Sequence, residues 1–185
     1  MTAGLLREDR SQETESRSRP GAPVLALGLG NLLLGDDGVG LRLVERLAAG
    51  DSFGGAVEYI DGGTQGLALL GCLADREAVL VLDAVGLGGE PGTIHVLRGS
   101  AMEAIRTRRG STAHEGNALE LFATARVLGL TSKEVAVVGV EPENVRTGIG
   151  LSPRVEQAVN AALARAREVL EELVEAHRRE SVVRE

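Results

Sequence analysis

The chain has 185 residues, the size of about one domain, with a formal net charge of −7 and a pI near 5.1. That balance argues against a general nucleic-acid binder, which carries a basic stripe, and the single cysteine excludes an internal disulfide and a cysteine-built zinc site. Glycine, at 25 residues, is about twice its usual ~7% share without a G-X-Y period, which predicts a backbone that turns sharply and often.

Residues 1–20 interleave Arg7, Arg10, Arg17 and Arg19 with Glu8, Asp9, Glu13 and Glu15, and only Leu5 and Leu6 are apolar. This reads as a disordered extension and not a secretory signal. No stretch approaches the ~18 apolar residues that span a membrane, so a cytoplasmic protein without a membrane partner is expected. A single domain is expected over 21–178, followed by a frayed charged tail at 179–185.

Residues 24–29 are continuously apolar, the mark of a strand buried on both faces. Val39, Leu43 and Leu47 recur every fourth residue, predicting a helix over 39–49. A second strand is expected at 57–60, ended by Asp61, Gly62 and Gly63, then a short apolar helix at 67–74 carrying Cys72 as a small core residue. The run 78–82 predicts a third buried strand ending at Asp83. The next strand, 93–97, begins only about ten residues later, too soon for a parallel crossover with its helix, so it should turn back antiparallel at an edge. A helix over 115–128 and a fifth strand at 135–140 follow. Ser152 as N-cap with Pro153 at the first helical position announces the last helix, whose apolar face is Val155, Val159, Ala162, Ala166, Val169 and Leu173.

This alternation implies an α/β fold: a mostly parallel twisted sheet of about five strands, one antiparallel edge strand, and helices on both faces. Ligands of such sheets sit beyond the carboxyl ends of the strands. Those ends carry Asn31, Asp36 and Asp37, then Asp61, Asp83 and Glu141, while His114 precedes the third helix. Aspartate and histidine together form a ligand set suited to zinc, nickel, iron or manganese, and three protein ligands leave positions open for substrate or water. A helix start favours negative charge at Asp36 and Asp37, and the neutral, metal-binding imidazole at His114. An aspartate there is ordinarily an N-cap, yet of two neighbours one can cap while the other does chemistry. Asp61 before two glycines fits a turn residue bonding the following backbone. Asp83 ends a wholly apolar strand and is the hardest to explain as structure.

Nucleotide readings fail on charge. Gly28 and Gly30 begin a dinucleotide motif, but Leu33 stands where its third glycine belongs, and Asp36 and Asp37 stand where a P-loop needs Lys and Ser/Thr. Residues 50–54 match G-x-S-x-G but follow a helix and precede a strand, the reverse of a nucleophile elbow. His95 reads as partly exposed structure with a ligand role as the lesser alternative, His177 as solvated, and Arg106, Arg108 and Arg109 as a solvated run that could instead hold an acidic group of a partner.

Residues 24–40, VLALGLGNLLLGDDGVG, resemble the opening signature of the nickel–iron hydrogenase maturation endopeptidases. Residues 61–64, 82–85, 112–114, 138–142 and 150–153 resemble the family's later blocks in the same order. The resemblance implies removal of a C-terminal extension from the hydrogenase large-subunit precursor once nickel is inserted. It carries metal contact onto Asp37, Asp83 and His114, with nickel brought by the substrate's metal centre and other divalent metals able to occupy the site. Asp37 stands where some members have glutamate, one methylene longer. No serine or cysteine nucleophile is credible, so water attacks: either the metal polarises it, or Asp37 or Asp83 acts as general base. Asn31, Asp61 and the Gly62 and Gly63 amides are candidate contacts for the peptide or its oxyanion. The glycines around the first two strand ends and after the third are expected to give a bulky partner room against the backbone. A monomer is expected; the alternative is a chaperone that recognises the same centre without cutting.

Overall fold

A computed structural model describes residues 21–99, 118–130 and 132–183. Its elements are β1 (Val24–Leu29), a 3-10 turn (Gly35–Gly38), α1 (Val39–Ala49), β2 (Val57–Gly63), a 3-10 turn (Gly66–Leu69) running into α2 (Leu70–Leu73), β3 (Ala78–Ala84), β4 (Ile94–Arg98), α3 (Ala118–Val127), β5 (Glu134–Val140) and α4 (Pro153–Val183). The five strands form one sheet in the order β2-β1-β3-β5-β4. β1 pairs in parallel with β2 and β3, β3 with β5, and β4 closes the edge antiparallel to β5. The short return between β3 and β4 therefore did force the reversal expected of it.

All six residues of β1 are buried, because both faces are covered. Val24 and Ala26 pack with Val39, Leu43 and Leu47 of α1 and with Val155, Val159, Ala162, Ala166 and Val169 of α4. Leu25, Leu27 and Leu29 point the other way, against Leu69 and Leu73 and against Leu121 and Ala125 of α3. Each fully buried Val or Leu of these faces contributes roughly 1.5–3 kcal/mol relative to exposure. Ser152 Oγ accepts the Val155 amide at 3.5 Å, the cap that Ser152 and Pro153 announce.

Two elements run longer than their local patterns. β2 continues to Gly63, since its ladder with β1 carries on past Ile60 and pairs Gly63 with Leu29. α4 continues to Val183, beyond the point where a frayed tail was expected, and Lys133 there meets Glu180 at 3.3 Å. Cys72 is half-buried beside the second core face. The 50–54 segment is a loop whose Asp51 Oδ1 accepts the Phe53 amide (3.1 Å) and the Tyr59 hydroxyl (2.8 Å).

The glycine surplus has an internal cause. A Cβ on Gly40 would collide with the carbonyl oxygens of Leu82 and Leu29, and one on Gly28 with Val44 and the Gly40 carbonyl. One on Gly62 would meet Leu27, Leu69 and Leu29. These glycines let α1 and the β2 turn lie directly on the strand ends. The expected room for a partner is thus filled by the protein itself at all three positions.

Candidate active site

The strand order places the topological switch point between β1 and β3. From β1 the chain moves outward to β2 over one face, then returns over the other to β3. A crevice opens at the carboxyl ends of two such strands, where α/β sheets bind ligands. Gly40 seats the first turn of α1 on those two ends, which holds the 3-10 turn with Asp36 and Asp37 beside the crevice. Asp37 is partly exposed there, and its carboxylate approaches Gly30. Asp83 is the last residue but one of β3, paired with Gly139 of β5 and one residue beyond the pairing of Gly28 with Leu82. It is 5% exposed, and its Oδ1 accepts the Ala84 amide at 2.8 Å. The sheet therefore brings Asp37 and Asp83, 46 residues apart in sequence, to the neighbouring carboxyl ends of β1 and β3.

The neighbouring Asp36 is not an N-cap. It is fully buried, with Oδ2 accepting the amides of Glu143 (2.9 Å) and Asn144 (3.0 Å) and Oδ1 that of Ser152 (2.6 Å). Of the two aspartates, 36 is buried and holds structure, and 37 is partly exposed beside Gly30. Asp61, on the adjoining β2, is exposed and accepts the Gly63 amide at 3.0 Å, the turn role expected of it. That bond engages the Gly63 N–H, and the Gly63 carbonyl accepts from Gly30 at 3.1 Å. The Gly63 amide is thus not a preformed oxyanion donor. Asn31 Oδ1 accepts the Leu33 amide at 2.9 Å, so the group this side chain can present is its NH2, a donor.

Glu141, at the end of β5, braces the next loop. Its carboxylate accepts the amides of Leu87 (2.7 Å) and Gly88 (3.0 Å) and lies 3.0 Å from His95 Nε2. Burial raises its pKa, but those amides, His95 and the Gly89 amide outweigh burial and hold it below the ordinary value. His95 is accordingly structural, a partner of Glu141. Beyond the crevice, a groove of about 600 Å³ runs between α1 and residues 149–151, with Leu32, Ile149 and Leu151 along it and Arg42 and Arg46 on the helix side. Leu32, Leu33 and Ile149 are all more than half exposed, Ile149 at 90%.

Residues 41–169 match the family described as hydrogenase maturation protease (HycI). The hydrogenase 2 maturation protease of Escherichia coli (strain K12) is 37% identical over 161 residues, covering 86% of this chain and 98% of that protein. The Rhodobacter capsulatus hydrogenase expression/formation protein HupD is 36% identical over 144 residues, 77% of this chain and 69% of that one. Among solved structures, the hydrogenase maturating endopeptidase HybD from E. coli superposes with a TM-score of 0.70 at 35% identity, covering 80% of this chain and 92% of its own. This chain belongs to the hydrogenase maturation proteases. It is a peptidase.

Of the residues expected at this peptidase's site, Asp37 and Asp83 stand at the neighbouring carboxyl ends of β1 and β3, while Asn31, Asp61, Gly62 and Gly63 lie at the ends of β1 and β2. His114 lies outside the described residues, as do Arg106, Arg108 and Arg109. Among the described residues, no group of three His, Cys, Asp or Glu side chains comes together to hold a metal ion. The bracing roles of Asp36 and Glu141 leave no local mark in the sequence. Glu141 was visible at a strand end, but neither its partners nor those of Asp36 are near in sequence. No helix among the described residues is long and apolar enough to cross a membrane.

Proposed function

We propose that this peptidase removes the C-terminal extension of a nickel–iron hydrogenase large-subunit precursor after nickel insertion, acting as a cytoplasmic monomer. The observation that carries the reading is the pair Asp37 and Asp83 at the β1–β3 switch point of a chain in this family. Two carboxylates in one crevice are hard oxygen ligands for a divalent metal. The nickel is the substrate's, presented by the precursor, and Asp37, Asp83 and His114 are the residues that meet it. His114 stands four residues before α3. That helix leads to β5, whose Glu134 pairs with Ala78 at the amino edge, so its first turn lies toward the carboxyl edge.

The two carboxylates take different parts. Asp83, buried and oriented by the Ala84 amide, is the fixed anion that receives the metal centre. Asp37, partly exposed on its turn, is the carboxylate that water can reach. It takes a proton from the attacking water and returns it to the leaving amine, which makes the chemistry aspartyl-type. The Asn31 NH2, the group left to this side chain once its Oδ1 accepts from Leu33, steadies the developing oxyanion in this reading. The groove beside Leu32 and Ile149 has room for the polypeptide on either side of the cut.

Incubation of the purified protein with nickel-loaded and with nickel-free precursor tests this reading by mass spectrometry. Cleavage confined to the loaded form is the expected result. Binding of the loaded precursor with no change in its mass would leave a chaperone in place of a protease.

A further inference from the structure

Asp36 is fully buried at this edge, and its carboxylate is held by three backbone amides. Its three donors, the amides of Glu143, Asn144 and Ser152, come from one loop more than 100 residues further along the chain. Residues 143–150 of that loop are exposed and contain neither helix nor strand. Such a segment has little apolar burial to hold it in place. Charge-assisted bonds to a buried carboxylate supply the missing restraint. Two backbone bonds complete the seam: the Gly35 amide donates to the Gly148 carbonyl (3.0 Å), and the Gly148 amide to the Leu33 carbonyl (2.9 Å).

We propose that Asp36 is a positioning residue, anchoring the β5–α4 loop so that the turn shared with Asp37 is fixed and Asp37 is held in place for the substrate. The part about Asp37 rests on the function proposed above; the anchor itself does not. Asp36 and Asp37 are joined by one peptide in a single 3-10 turn, so a shift of one carries the other. A carboxylate suits the task because it only accepts, and all three partners only donate. An asparagine there would turn an NH2 toward at least one N–H. The loop so anchored also bears Ile149, which faces the groove together with Leu32.

Hydrogen exchange on the unmodified protein tests the anchor. The amides of Glu143, Asn144 and Ser152 should exchange about 10- to 100-fold more slowly than those of Arg146 and Thr147 in the same loop. Equal rates across the loop would overturn the proposal, whether or not any variant folds. A double-mutant cycle then tests the action through Asp37, with kcat and KM measured on nickel-loaded precursor for Asp36→Asn, Asp37→Glu and both together. Asp36→Asn should lower kcat about 10- to 100-fold in the otherwise native protein. In the Asp37→Glu background, where the acid is already displaced, its further effect should be about twofold or less. Equal fold-losses in both backgrounds would make Asp36 a structural residue only. If the unmodified protein cuts neither precursor, the functional reading fails instead, and the exchange rates still decide the anchor.

Discussion

The buried acids at the two edges of the sheet are held in different ways. At the amino edge, acids meet cationic side chains: half-buried Arg76 pairs with buried Glu58 at 2.5 Å, Arg98 with Glu134 and Glu172, and Lys133 with Glu77 and Glu180. At the carboxyl edge, Asp36, Asp61 and Glu141 are stabilised chiefly by backbone amides, with His95 added at Glu141. Ion pairs cancel charge, whereas amides solvate an anion and leave its field in place. The amino edge is therefore built for cohesion. At the carboxyl edge the negative charge is held by backbone amides and not cancelled, which suits the metal-bearing polypeptide substrate proposed above.

Breaking the amino edge should cost stability and spare chemistry. Arg76→Ala strands a buried Glu58 and removes the donors to the Ala22 and Cys72 carbonyls, for an expected loss of about 3–5 kcal/mol in urea unfolding. The kcat of the molecules that remain folded should be unchanged; a fall in kcat with unchanged stability would erase the contrast between the edges.

Acid should distinguish the edges next. The folded pKa of Glu141 lies below its unfolded value, so the stability it contributes is complete above the ordinary glutamate range near about 4.3 and is lost as pH falls through the depressed folded value. Glu141→Gln should therefore lower the unfolding midpoint near neutral pH, and the gap to the native protein should close on acidification. A gap that widens with acid would give the shift the wrong sign. The smallest effect belongs to Lys133→Ala, whose half-exposed pairs are worth about 1 kcal/mol or less; added salt should shrink even that. A larger, salt-insensitive loss would mean that this edge relies on more than ion pairing.

Much of this architecture is legible along the chain, because its rules are local. Apolar runs mark β1, β3 and β5, a short return fixes the antiparallel edge, and Ser152 with Pro153 starts α4. Asp83 stands out because a charge ends a run of apolar residues. What stays hidden is long-range. Nothing near Asp36 distinguishes a cap from an anchor whose donors lie 107–116 residues away. The purpose of Gly28, Gly40 and Gly62 appears only when α1 and the β2 turn close on the strand ends. The Gly63 amide, equally, is a candidate donor until Asp61 is seen to hold it.

The account stands on the two crevice carboxylates, and the most direct measurement is the processing rate of nickel-loaded precursor by Asp37→Asn and Asp83→Asn beside the native protein. Both variants keep the size of the side chain and remove its charge. The predicted result is a loss of about 100-fold or more in each, with unfolding midpoints close to the native one, as for a removed acid–base or ligand group. Native rates in either variant, with the fold intact, would contradict the account.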